Sequence, residues 1–117
     1  MIKRRAEGTP VVSPDGAEVL EVIGLRPTGT REVSLALAVV KPGGATRKHR
    51  HGFNEVYVFI EGRGVVYVDG EEEEVVEGDC VLIPRGALHC VRNTGLSELK
   101  FWCICSPAFT EKETLVE

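Results

Sequence analysis

Residues 43–62 read GGATRKHRHGFNEVYVFIEG, and their reading decides the fold. Glu55 to Ile60 is a β-branched and aromatic run, Gly52-Phe53-Asn54 reads as a tight turn, and Arg47 to His51 can run extended before it. These are the two arms of a hairpin, because apolar residues alternating with period two suit a pleated strand and not a helix. Outward from this stretch the same signal recurs. Ala17 to Leu25 reads as a strand after the Ser13-Pro14-Asp15-Gly16 turn, and Arg31 to Val40 as a central one. In the latter Val33, Leu35, Leu37 and Val39 share one face, with Ser34, Ala36 and Ala38 on the other. Val65–Val68 and Glu72–Val76 flank Asp69-Gly70, a dipeptide that tolerates the positive φ a two-residue hairpin needs. Strands to Ile83, from Leu88 to Arg92 and from Leu99 to Cys105 follow. About eight to ten short strands at this spacing predict an all-β jelly roll or barrel.

With 117 residues and 43% hydrophobic content, the chain suits one domain over 1–117 with its own core. A net charge of -4 argues against a nucleic-acid or anionic-membrane surface, both of which need clustered positive charge. Lys3-Arg4-Arg5 is followed by Glu7, Gly8 and Pro10 rather than an apolar stretch, so it reads as a solvated or lightly docked end and not a signal peptide. No run approaches the ~20 apolar residues of a membrane helix, and a cytoplasmic protein is expected. Cys80, Cys90, Cys103 and Cys105 contain no C-x-x-C pair and read as reduced, small hydrophobes. The acidic run Glu71–Glu74 reads as a solvated hairpin edge.

The chain has three histidines, His49, His51 and His89. His49 and His51 lie two apart in an extended segment, so both imidazoles project from one face and can share an ion. Glu55 begins the next strand and can return its carboxylate to the same side, while His89 must arrive from a remote strand. Three imidazoles and a carboxylate suit Mn, Fe, Ni, Cu, Co or Zn better than Mg or Ca. A lone H-x-H pair reads as easily as surface or core histidines; the longer frame decides.

That frame resembles the cupin superfamily in both signature motifs. The first runs Gly43-x5-His49-x-His51-x3-Glu55-x6-Gly62, and the second Gly78-x5-Pro84-x-Gly86-x2-His89-x3-Asn93. The resemblance implies a double-stranded β-helix, or jelly-roll barrel, with motif 1 at 43–62 and motif 2 at 78–93. It implies His49, His51, Glu55 and His89 as ligands of one divalent transition-metal ion, and a homodimer as the usual assembly. An ion so held keeps one or two positions for water, dioxygen or a chelating substrate. A metal-dependent enzyme acting on a small molecule is therefore expected, as in cupin dioxygenases, decarboxylases and sugar-phosphate isomerases. A non-catalytic binding module is the alternative. Strand parity adds Arg47, Tyr57, Phe59 and Cys103 as candidate pocket residues, against barrel lining, a rim salt bridge and an inert thiol as the plainer roles.

Overall fold

The computed structural model describes residues 1–4 and 8–117. Its strands are β1 (Thr9–Val12), β2 (Glu18–Ile23), β3 (Ser34–Val40), β4 (His49–His51), β5 (Asn54–Glu61), β6 (Arg63–Val68), β7 (Glu71–Val76), β8 (Cys80–Ile83), β9 (His89–Asn93), β10 (Leu99–Ser106) and β11 (Thr114–Val116). A single helical turn, α1 (Leu25–Thr28), and a 3₁₀ turn at Glu111–Glu113 complete the described elements. The strands form two sheets with entirely antiparallel pairing, in the order β1-β2-β3-β10-β5-β8 and β11-β4-β9-β6-β7. This is the expected all-β barrel.

Alternation explains which face each strand buries. On β5, Glu55, Tyr57 and Phe59 are buried while Val56, Val58 and Ile60 are only half-buried. On β10, Leu99, Phe101 and Cys105 are buried on the matching face. Phe59, Phe101, Leu99, Val66, Val91 and Ile83 form one core cluster between the sheets. Each such side chain contributes about 1.5–3 kcal/mol by leaving water. The β6–β7 hairpin turns as read: Asp69 (φ 45°) and Gly70 (φ 91°) both occupy the left-handed region. Glu71–Glu74 lie exposed on β7, at the edge of the five-stranded sheet. Gly62 has φ 86°, and a Cβ there would lie 2.6 Å from the Glu98 carbonyl oxygen, so this motif position excludes a side chain on two grounds.

The structure departs from the sequence reading at both ends. Thr9–Val12, which the sequence reading assigns to no strand, pairs with β2 as an edge strand, where Pro10 need not donate on the open side; of the run read as a solvated end, Arg5 lies outside the described residues, as do Ala6 and Glu7. The tail after Cys105, which the sequence reading leaves unassigned, returns as β11 and pairs with β4, setting Thr114 opposite His51 and Val116 opposite His49. The strands read as starting at Ala17 and Arg31 are shorter, and Asn54 begins β5 rather than closing the turn.

Candidate metal centre

Three elements converge on one end of the barrel interior. His49 and His51 project inward from β4, with Arg50 exposed between them. His89 opens β9, where it pairs directly with His49, and Glu55 lies on β5 in the opposite sheet. His49 and His89 have no exposure, and His51 and Glu55 retain 5% and 4%. The ligand atoms of the three imidazoles lie within 4.8 Å of one another, a cluster that could hold a metal ion. Glu55 Oε1 lies 3.3 Å from His51 Nε2 and 3.3 Å from His89 Nε2.

The neighbours of each ring fix its tautomer. His49 Nδ1 faces the Arg47 carbonyl at 2.6 Å, and His89 Nδ1 faces the Ala87 carbonyl at 2.9 Å. A carbonyl only accepts, so both Nδ1 atoms carry the proton. His51 Nδ1 meets Thr114 Oγ1 at 2.9 Å, and that hydroxyl spends its own proton on the Thr110 carbonyl at 3.1 Å. It therefore accepts from His51. With the proton on Nδ1, each ring in its neutral form keeps an Nε2 lone pair facing the centre. Accordingly His49 Nε2, His89 Nε2 and Glu55 Oε1 are buried without a hydrogen-bond partner among the described residues. Buried acceptors without a donor are costly, and convergence of several on one point fits a bound cation.

For His49, electrostatics agree. Burial, reinforced by the like charge of His89, lowers His49 to about 4, so its ring is neutral at pH 7. Burial raises the Glu55 carboxyl; in the metal-free protein, protonation of His51 and His89 would turn each Nε2 into a donor, and that hydrogen bonding and charge outweigh burial and hold the group at about 2, an interaction absent where the rings keep their lone pairs for an ion. Cys105 Sγ donates to Glu55 Oε2 at 3.3 Å. Burial and the Glu55 charge push the Cys105 thiol far up, so it stays a donor.

A cavity of about 40 Å³ opens beside this cluster, bordered by His51, Glu55, Tyr57 and Cys103, with Ala36 and Ala38 of β3 leaving the room. That is space for roughly three waters or a comparably small ligand. Of the pocket candidates, Tyr57 and Cys103 line it. Phe59 does not; it sits 1% exposed in the core cluster. Arg47 does not either. It precedes β4, so strand parity does not govern it, and its exposed guanidinium reaches the Glu117 carbonyl at 3.3 Å. Cys103 is half-buried, and its removal from water raises its thiol well above the ordinary range. All four cysteines are free thiols.

Sequence reasoning missed three participants. Asp15 is 7% exposed, lines the cavity and sets Oδ2 3.1 Å from His49 Nε2. Its only signal was a turn, Ser13-Pro14-Asp15-Gly16. Thr114 and Cys105 are the others; Phe109, from the same tail as Thr114, packs edge-on against His51 and Phe53.

The chain belongs to the cupin family: the family model described as Cupin domain matches residues 36–105. Among curated proteins it is 31% identical over 106 residues to a Myxococcus xanthus protein named endoribonuclease YbeY, covering 91% of this chain but only 36% of that protein. It is 33% identical over 106 residues to an uncharacterised Methanocaldococcus jannaschii protein, covering 90% and 85%. An oxalate-binding protein of Thermotoga maritima is 31% identical over 64 residues, 54% of this chain and 53% of that one. Among solved structures, a predicted oxalate decarboxylase from Thermotoga maritima superposes with a TM-score of 0.78 at 24% identity, over 92% and 99% of the two chains. Oxalate decarboxylase from Bacillus subtilis gives 0.84 at 20%, over 99% of this chain and 32% of that one. These two likenesses concern the fold alone. Among the described residues, no helix is long and apolar enough to cross a membrane.

Proposed function

We propose that residues 1–117 act as one cupin domain and that the protein is a metal-dependent enzyme for a small molecule. His49, His51, Glu55 and His89 would hold a single divalent transition-metal ion. The observation that carries this reading is the cluster of three imidazole ligand atoms within 4.8 Å of one another, with His49 Nε2, His89 Nε2 and the adjoining Glu55 Oε1 buried without donors among the described residues. The ion would supply Lewis acidity, or redox capacity if Fe or Mn. The residues themselves do the rest. Carbonyls of Arg47 and Ala87 and the Thr114 hydroxyl hold the rings in register, Cys105 steers the Glu55 carboxylate, and the Tyr57 and Phe101 rings at the cavity exclude bulk water.

A cavity of about 40 Å³ favours a compact substrate with an oxygen donor over an extended aromatic one. Dioxygenase, decarboxylase and isomerase chemistry all fit this description. The 31% identity to an oxalate-binding protein favours a second reading, a carrier that binds a small carboxylate without turnover. Loading the protein with Mn, Fe, Co, Ni, Cu or Zn and assaying oxalate-sized acids, diketones, catechols and thiols for product and oxygen consumption separates the two. Turnover with one class supports the enzyme. Saturable binding with no product supports the carrier.

The assembly proposed is a homodimer through the outer face of the six-stranded sheet. Register lines up Leu20, Leu37, Trp102 and Val58 in one row, and Ile23, Leu35, Ile104, Val56 and Leu82 in the next. Leu37 is buried among these neighbours and Leu82 is 66% exposed, so the face is an apolar row spanning five strands of the kind that subunits cover.

A further inference from the structure

We propose that Asp15 is a fifth protein ligand of the ion, closing the centre to three imidazoles and two carboxylates. The inference rests on the metal-centre reading above and extends it.

The geometry comes first. Ligands at adjacent vertices around one ion, bonded at about 2.0–2.3 Å and at right angles, stand about 3 Å apart. The separations from Glu55 Oε1 to His51 Nε2 and His89 Nε2 are 3.3 Å, and that from Asp15 Oδ2 to His49 Nε2 is 3.1 Å. Asp15 thus stands to His49 as Glu55 stands to the other two rings. In a neutral His49 ring, whose one proton on Nδ1 faces the Arg47 carbonyl, Nε2 has nothing to donate to Asp15. Two acceptors face each other at 3.1 Å in a site where His49 has no exposure and the Asp15 side chain retains only 9%. A cation between them turns that contact from a cost into an attraction.

The fold presents Asp15 deliberately. Its Oδ1 accepts from the Ala17 amide at 3.0 Å, which leaves Oδ2 turned to the site. Its carbonyl accepts from the Arg47 amide at 2.8 Å, tying the turn to the chain two residues before His49. The Gly16 amide closes the turn on the Ser13 carbonyl at 2.8 Å.

Two consequences follow. Two carboxylates neutralise a divalent ion, where Glu55 alone leaves one positive charge. Five protein ligands on a six-coordinate ion also leave one exchangeable position, so a substrate that chelates through two atoms has to displace Asp15, whereas a one-point ligand does not.

Asp15→Asn and Asp15→Ala, compared with the wild-type chain, test this with Mn²⁺ alone as probe. Mn²⁺ affinity is measured by titration, and the number of waters on the bound ion by water-proton relaxation. The expected result is at least about tenfold weaker binding in both variants and one more bound water in Asp15→Ala. In chelator-treated protein, Asp15→Asn is expected to unfold at the wild-type temperature or above, because its amide can donate to the orphaned His49 Nε2. A purely structural Asp15 gives the reverse pattern, lower stability with unchanged Mn²⁺ affinity and hydration, and overturns the proposal. A wild-type chain that takes up no Mn²⁺, Fe²⁺, Co²⁺ or Zn²⁺ overturns the metal-centre reading itself. Binding by wild type that both variants match overturns Asp15 alone.

Discussion

Cys105 donates its thiol proton to Glu55 Oε2 at 3.3 Å, and the other oxygen of that carboxylate thereby faces His51 and His89. The two residues are paired neighbours on β10 and β5. Replacing Cys105 with alanine removes the thiol donor that orients Glu55 and leaves Oε2 buried. Metal affinity is expected to fall about tenfold, the ordinary effect of losing an outer partner of a ligand. Serine, which can still donate, is expected to restore most of it. Competition against a chelator checks both; equal affinity in the wild type and Cys105→Ala would mean that the thiol plays no part.

Acid acts on the metal-free protein in one direction. His49 is lowered from 6.5 to about 4, chiefly by burial, so the unfolded chain takes up this proton before the folded one does. Stability from this group is present above about 6.5 and is lost as pH falls towards 4. Glu55, held at about 2 against an ordinary 4.5, loses its contribution as pH falls from about 4.5 to 2. The urea midpoint of chelator-treated protein is expected to drop steadily from pH 7 to pH 4. A flat or rising profile over that window contradicts the assignment of a buried, neutral His49.

The outer sheet face bears on assembly. Trp102 sits mid-row between Leu37 and Val58. A charge there faces apolar neighbours across the proposed dimer, so Trp102→Glu is expected to halve the mass seen by light scattering. The barrel should stay folded, since the side chain is outside the core. A wild-type chain that is monomeric at micromolar concentration contradicts the dimer.

The barrel and the three-imidazole cluster were legible because both are carried by local spacing. Period-two alternation fixes which residues of β5 and β10 point inward, and H-x-H within an extended segment needs no long-range information. The rest depends on contacts no spacing encodes. Asp15 reaches the site only because its turn is held to Arg47, and Thr114 only because the tail returns to pair with β4. Arg47 failed as a pocket residue for the converse reason: parity was extended past the point where β4 begins. Parity puts Cys103 among the pocket candidates and it lines the cavity, yet it is Cys105, two residues on along the same face of β10, that touches Glu55. Which of two thiols on a face meets a carboxylate depends on the register of β10 against β5.

Metal content per chain, measured by elemental analysis after loading and desalting, tests the central claim most directly. The wild-type chain is expected to retain about one divalent ion. His51→Ala, which removes one arm of the pair on β4, is expected to retain less than about a tenth of that, while Glu55→Ala keeps a substantial share on its three imidazoles with altered reactivity. A wild-type chain that retains no ion, or full and equal occupancy in wild type and His51→Ala, contradicts a metal centre built on these histidines.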